Sequence, residues 1–154
     1  MDEKWKLRLV ELLVVGVIIL LGIFIMSLFL KKFPNFFYRD KPEGLCSASL
    51  VDKPNWVSSI INIKDQHYVS PLPITPLANI TKCIFNMDPK AYVITNIGYI
   101  EGFHRTKFFG FTDWFCIKED GNVTASATIG YSDMGYNRKW VEELRNKLKN
   151  YDCY

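Results

Sequence analysis

From Leu12 to Leu30 the chain carries no charged residue. The run is Leu, Val, Ile, Phe and Met, interrupted only by Gly16, Gly22 and Ser27. As a helix rising about 1.5 Å per residue it would span roughly 28 Å, close to the ~30 Å hydrocarbon core of a bilayer. A helix of a soluble domain keeps a polar face, and this run has none. A cleaved signal peptide has a shorter apolar core, about 7 to 15 residues, followed by small residues. Here Lys31, Lys32 and Phe33 follow instead. The segment reads as an uncleaved single-pass membrane anchor.

The flanks suit the headgroup layer. Trp5 precedes the run; Lys31, Lys32, Phe33, Phe36, Phe37, Tyr38 and Arg39 follow it, and aromatic rings and snorkelling cations favour that layer. Lys4, Lys6 and Arg8 stand on one side and Lys31, Lys32, Arg39 and Lys41 on the other. Counting positive charge therefore leaves the orientation open. This divides the chain into a short tail (1–11), a transmembrane helix (12–30), an interfacial linker (31–44) and a folded domain (45–154).

At 154 residues there is room for one domain. A hydrophobic fraction of 49% excludes a disordered chain. The net charge is only +3, and beyond Phe33 Lys and Arg barely outnumber Asp and Glu. No field of one sign would draw nucleic acid.

Asp40 to Ser59 reads as irregular, broken by Pro42, Gly44 and Pro54. His67 to Leu72 reads as a short strand. Pro76 to Met87 fits a helix with Thr75 as N-cap, Pro76 at its first position and a buried stripe of Leu77, Ile80, Ile84 and Phe85. Ala91–Thr95 and Tyr99–Thr106 flank a turn at Asn96-Ile97-Gly98. Thr112–Lys118 and Val123–Ile129 flank Glu119-Asp120-Gly121-Asn122, a hairpin signal. The alternation of Val123, Ala125, Ala127 and Ile129 with Thr124, Ser126 and Thr128 predicts a half-buried antiparallel strand. Arg138 to Lys149 closes the chain as a helix, with Trp140, Val141, Leu144 and Leu148 on one face and a Glu143–Lys147 surface pair. The expected fold class is α+β: an antiparallel sheet covered by two helices.

Motifs for chemistry are sparse. Cys46, Cys83, Cys116 and Cys153 form no C-x-x-C pair, so a zinc or dithiol site is not expected. Their even number allows two disulfides in any of three connectivities, or free buried thiols. His67 and His104 are the two histidines, and no H-E-x-x-H is present; each reads as a strand or turn hydrogen-bonder. Ser58, Ser59 and Ser132 lack a nucleophile elbow, and no glycine-rich phosphate loop occurs. Gly102 and Gly110 suggest bulges or close packing. Asn79-Ile80-Thr81 and Asn122-Val123-Thr124 would be glycosylation acceptors in a secretory lumen. Neither a metal nor a cofactor is expected.

The densest polar group is Gly130 to Arg138, between the last strand and the last helix. Ser132, Asp133 and Asn137 can satisfy turn and helix-end amides, and Arg138 can pair with Asp113 or Asp133. Such a cluster reads first as a structural corner. Its functional reading is a polar pocket for a small anion or lipid headgroup at a helix N-terminus, drawing on Ser132, Asp133, Asn137, Arg138, Asp113 and His67.

Four motifs occur in order: Pro54-Asn55-Trp56-Val57-Ser58-Ser59, Asp65-Gln66-His67-Tyr68-Val69-Ser70-Pro71-Leu72, Phe109-Gly110-Phe111-Thr112-Asp113, and Gly130-Tyr131-Ser132-Asp133-Met134-Gly135-Tyr136-Asn137-Arg138-Lys139. Together they resemble the domain-of-unknown-function 1499 (DUF1499) family over about Leu45 to Leu148, the last motif being the most specific. The resemblance implies the fold and no reaction, because the family has no established activity. It also implies a distribution over bacteria and plastid- and mitochondrion-bearing eukaryotes. Trp56 stands where the family usually has Cys, and Thr128 where it usually has Arg. Loss of that Arg points to a retained scaffold.

The expected function is a non-catalytic accessory subunit of a larger membrane complex, touching lipid and neighbouring subunits through the helix and the domain. Richness in Lys, Asn, Ile, Phe and Tyr suggests an AT-rich genome, which with the uncleaved anchor favours a mitochondrial inner-membrane respiratory-chain assembly. The alternative is a membrane-anchored module that binds a lipid headgroup or small anion. A hydrolase using Ser58 or His67 ranks last.

Overall fold

The computed structural model describes residues 3–32, 38–50, 54–107 and 109–153. They form two units, one built on an N-terminal helix, the other an α+β domain. The helix, α1 (Glu3–Lys32), outruns the uncharged stretch at both ends, since Lys4, Lys6, Arg8 and Glu11 are themselves good helix formers. Within Lys4–Phe29 an 18-residue window reaches a mean hydropathy of 3.1, and the stretch is long and apolar enough to cross a membrane. Large apolar side chains from Trp5 to Phe29 are exposed around it. Of the expected interfacial aromatics, Phe33, Phe36 and Phe37 lie outside the described residues.

The domain holds five strands and two helices: β1 (Trp56–Ser58), α2 (Leu77–Met87), β2 (Tyr92–Asn96), β3 (Tyr99–Arg105), β4 (Thr112–Lys118), β5 (Val123–Ala127) and α3 (Tyr136–Lys149). The strands make one antiparallel sheet in the order β1-β5-β4-β3-β2. One face carries Val57, Ile100, Phe115, Ile117, Val123 and Ala125. These pack with Ile80, Cys83 and Ile84 of α2 and Trp140, Val141, Leu144 and Leu148 of α3 into the main core. Gly102 lets β2 close on β3: a Cβ there would stand 1.9 Å from the Tyr92 carbonyl oxygen.

The opposite face is covered as well, which the alternation in β5 does not reveal. A 3-10 turn at Leu45–Ser47 lies over β4 and β5. Leu45, Trp114 and Cys116 form a second core there, with Cys46, Leu50, Tyr99 and Phe103 against it. The Trp114 indole donates to the Arg39 carbonyl (3.0 Å). All five residues of β5 are therefore buried, including Thr124, whose hydroxyl pairs with that of Ser58 at 2.8 Å. The expected half-buried strand is corrected to a central, fully covered one.

Other expectations change in detail. Residues 56–58, expected to be irregular, are the edge strand β1. Residues 67–72 form no strand and contribute a single parallel bridge, Ser58 to Tyr68. The α2 N-cap is Pro76 rather than Thr75, with no side-chain cap. In its buried stripe Cys83 replaces Phe85, which is 40% exposed. Helix α3 starts two residues earlier than expected, at Tyr136. Its ion pair among the described residues is Glu142–Arg145, not Glu143–Lys147. Two disulfides, Cys46–Cys116 and Cys83–Cys153, take all four cysteines.

Candidate functional site

Alternation along two strands places two titratable residues in the main core. On β3, Ile100, Gly102 and His104 point to the helix side; on β4, Ile117, Phe115 and Asp113 do the same. His104 and Asp113 are direct cross-strand partners and are 1% and 2% exposed. The first turns of α3 lie over them. The His104 ring stacks on Trp140 (centroids 4.3 Å apart, planes within 10°) and lies 5.9 Å from the Tyr136 ring.

The strand-to-helix corner supplies the polar neighbours. The chain turns through left-handed backbone at Gly130, Met134 and Gly135. The N-cap Gly135 has no side chain to offer, so Asp133 does the capping. Its Oδ1 accepts from the Gly135 amide (3.0 Å), and its Oδ2 accepts from both the backbone amide and the side-chain Nδ2 of Asn137 (2.8 Å each). Ser132 Oγ accepts from the Met134 amide at 3.2 Å. Asn137 is fully buried and stands between the carboxylates of Asp133 and Asp113.

Burial, and then the charge of Asp133, push the Asp113 carboxyl up to about 7, with a hydrogen bond from Asn137 pulling the other way. Burial holds the His104 imidazole down to about 3, against a weaker upward pull from Asp88. At neutral pH the histidine is uncharged, and the carboxyl holds its proton far above the ordinary carboxylate range. His104 Nε2, Asp113 Oδ2 and Asn137 Oδ1 are buried without a hydrogen-bond partner among the described residues.

Of the six residues expected to share a pocket, the fold brings together Asp113, Asp133 and Asn137. Ser132 is an exposed turn residue. Arg138 meets neither carboxylate, which corrects the expected ion pair. Its guanidinium donates to the carbonyls of Tyr68 and Gln66, both at 2.6 Å. Two helical turns on, Arg145 repeats the move, donating to the carbonyls of Pro71 (3.1 Å) and Ser70 and to Glu142. The two arginines thus tie the 66–71 loop to α3. His67 lies in that loop, stacked on Trp56 (4.5 Å, 5°) with Nδ1 2.8 Å from Asp65 Oδ1. The Ser58 hydroxyl is buried and bonded. Thr128 donates to the Thr112 carbonyl at 2.7 Å. Among the described residues no three His, Cys, Asp or Glu side chains are grouped to hold a metal.

His104 was not among the expected site residues. Its two-residue spacing from Gly102 and Ile100 was the available signal.

A family model described as a protein of unknown function, DUF1499, matches residues 48–148. No curated protein and no solved structure matches the chain.

Proposed function

This chain belongs to the DUF1499 family, and on that premise we propose that it is a non-catalytic, single-pass accessory subunit of a larger membrane protein complex. The mitochondrial inner membrane, in a respiratory-chain assembly, is the setting its composition supports. One observation carries the reading: the polar corner is spent on the fold's own backbone. Asp133 occupies the amides at the start of α3 that an anion would need, and Arg138 is committed to two loop carbonyls. A headgroup or small anion at the corner would meet the Asp133 carboxylate instead. In this role α1 anchors the chain in lipid and the rigid α+β domain presents surface to neighbouring subunits.

Mild detergent extraction followed by native electrophoresis tests this. The full chain is expected to migrate in a large complex at fixed stoichiometry with its neighbours. Migration as a lone monomer under conditions that keep other complexes intact would reject the subunit reading and favour a free binding module. Leu20→Arg should weaken membrane integration, because Arg at a helix centre costs about 2.5 to 3.5 kcal/mol on insertion scales.

A further inference from the structure

The four cysteines come from regions remote in sequence and meet in two pairs with none left over. Cys46, in the segment over the second sheet face, is bonded to Cys116 in β4, with Cα atoms 5.3 Å apart. Cys83 in α2 is bonded to Cys153 beyond α3, with Cα atoms 4.9 Å apart. Both separations suit a disulfide, and each bond spans 70 residues of sequence. Cys83, Cys116 and Cys153 are at most 2% exposed. Each bond secures a part of the domain that no strand ladder holds: the stretch around the 3-10 turn, and the chain after α3.

Structural disulfides form and persist in oxidising compartments and are rare in reducing ones. We propose that this domain matures on the oxidising side of its membrane, as the substrate of a dithiol–disulfide exchange catalyst there. The Lys4, Lys6 and Arg8 end of α1 then lies on the reducing side. This settles the orientation that the flanking charges leave open, and it holds whichever complex the chain joins. For each bond, one cysteine thiolate attacks the catalyst's disulfide, giving a mixed disulfide and releasing one catalyst sulfur. The second cysteine thiolate attacks the mixed disulfide, closing the protein bond and releasing the other catalyst sulfur. Two electrons pass from the cysteine pair to the catalyst, whose two sulfurs end as thiols carrying the two protons.

The test uses the full chain in its own membrane, quenched in acid, denatured and treated with a polyethylene-glycol maleimide. No adduct is expected without reductant, and four after reduction. Cys46→Ser should give one adduct without reductant, on Cys116. Should that variant not accumulate, Cys83→Ser combined with Cys153→Ser should give none without reductant and two after it. In sealed vesicles of known sidedness, an impermeant protease should reach the domain only from the oxidising face. Four adducts without reductant, or digestion from the reducing face, would overturn the proposal.

Discussion

His104 on β3 and Asp113 on β4 face each other across one rung of the sheet, both sealed beneath α3. Burial is the leading cause of each shift, and it acts in opposite directions on a base and an acid. Histidine falls from 6.5 to about 3 and aspartate rises from 3.8 to about 7. Between roughly pH 4 and 6.5 the unfolded chain holds a proton on the histidine and none on the aspartate. The folded chain holds the reverse. Folding therefore moves a proton between the two sites without net uptake, and their contributions to the pH dependence of stability cancel in that window.

Single substitutions should expose the cancelled terms. With His104→Gln, the raised Asp113 acts alone. Its contribution is fully present below the unfolded value of 3.8 and is lost as pH rises through 7, so this variant gains stability relative to wild type on acidification from pH 7 to 4. With Asp113→Asn, the depressed His104 acts alone. Its contribution is present above 6.5 and is lost as pH falls toward 3, so this variant loses stability over the same range. Each slope should approach about 1.4 kcal/mol per pH unit. Chemical denaturation of the purified full chain at fixed pH values measures both; difference curves of the same sign would refute the argument.

Each disulfide closes a long loop and restricts the unfolded chain. Cys46→Ser and Cys83→Ser should each lower stability by about 2 to 5 kcal/mol. The first should also loosen the second core, where Cys116 packs beside Leu45 and Trp114. Hydrogen exchange should then rise first in residues 38–50 for Cys46→Ser, and in residues 150–153 for Cys83→Ser. Equal patterns in the two variants would count against separate clamps.

Gly102 is required by packing rather than by conformation. A methyl group there would stand 1.9 Å from the Tyr92 oxygen and 3.0 Å from the Phe115 ring. Backbone must move to admit it, so Gly102→Ala should cost about 1 to 3 kcal/mol and weaken the β2–β3 pairing. Gly98→Ala is the control: nothing lies within 4 Å, but φ is +81°, and the cost should be nearer ~1 kcal/mol. Denaturation midpoints of the two variants give the ranking.

The meander and the apolar face of α3 were legible because each is a local period, two residues for a strand and about 3.6 for a helix, and the uncharged run of α1 was legible from its length alone. Non-local features were not. Strand β1 has three residues, too few to show a period, and exists because β5 pairs with it across more than sixty residues. The second covered face of β5 depends on a segment with no secondary structure beyond one turn. The corner's capping by Asp133 was readable from residue type; the partners of Arg138 were not, because a backbone carbonyl leaves no mark on the sequence. The cysteine pairing was one of several arithmetic possibilities until the fold brought the chains together.

The same difference between side-chain and backbone partners decides how the corner responds to double substitution. Asp133 accepts two hydrogen bonds from Asn137, whereas among the described residues Arg138 donates only to carbonyls of the 66–71 loop. Asp133→Ala should cost about 1 to 2 kcal/mol through loss of the cap. Arg138→Ala should cost about 1 to 3 kcal/mol by leaving the Gln66 and Tyr68 carbonyls without their donor. The two have no common partner, so their effects should add within about 0.5 kcal/mol. Asp133→Ala with Asn137→Ala should instead cost less than the sum, because the second change removes the side-chain Nδ2 donor that the first deprives of Asp133, although the Asn137 backbone amide stays. On the proposed subunit role, assembly of the variants at permissive temperature should follow stability alone. Thermal melts and native electrophoresis on the same set are the measurement. A variant that melts like wild type yet fails to assemble would show that the corner is a contact or ligand site, not only the joint between β5 and α3.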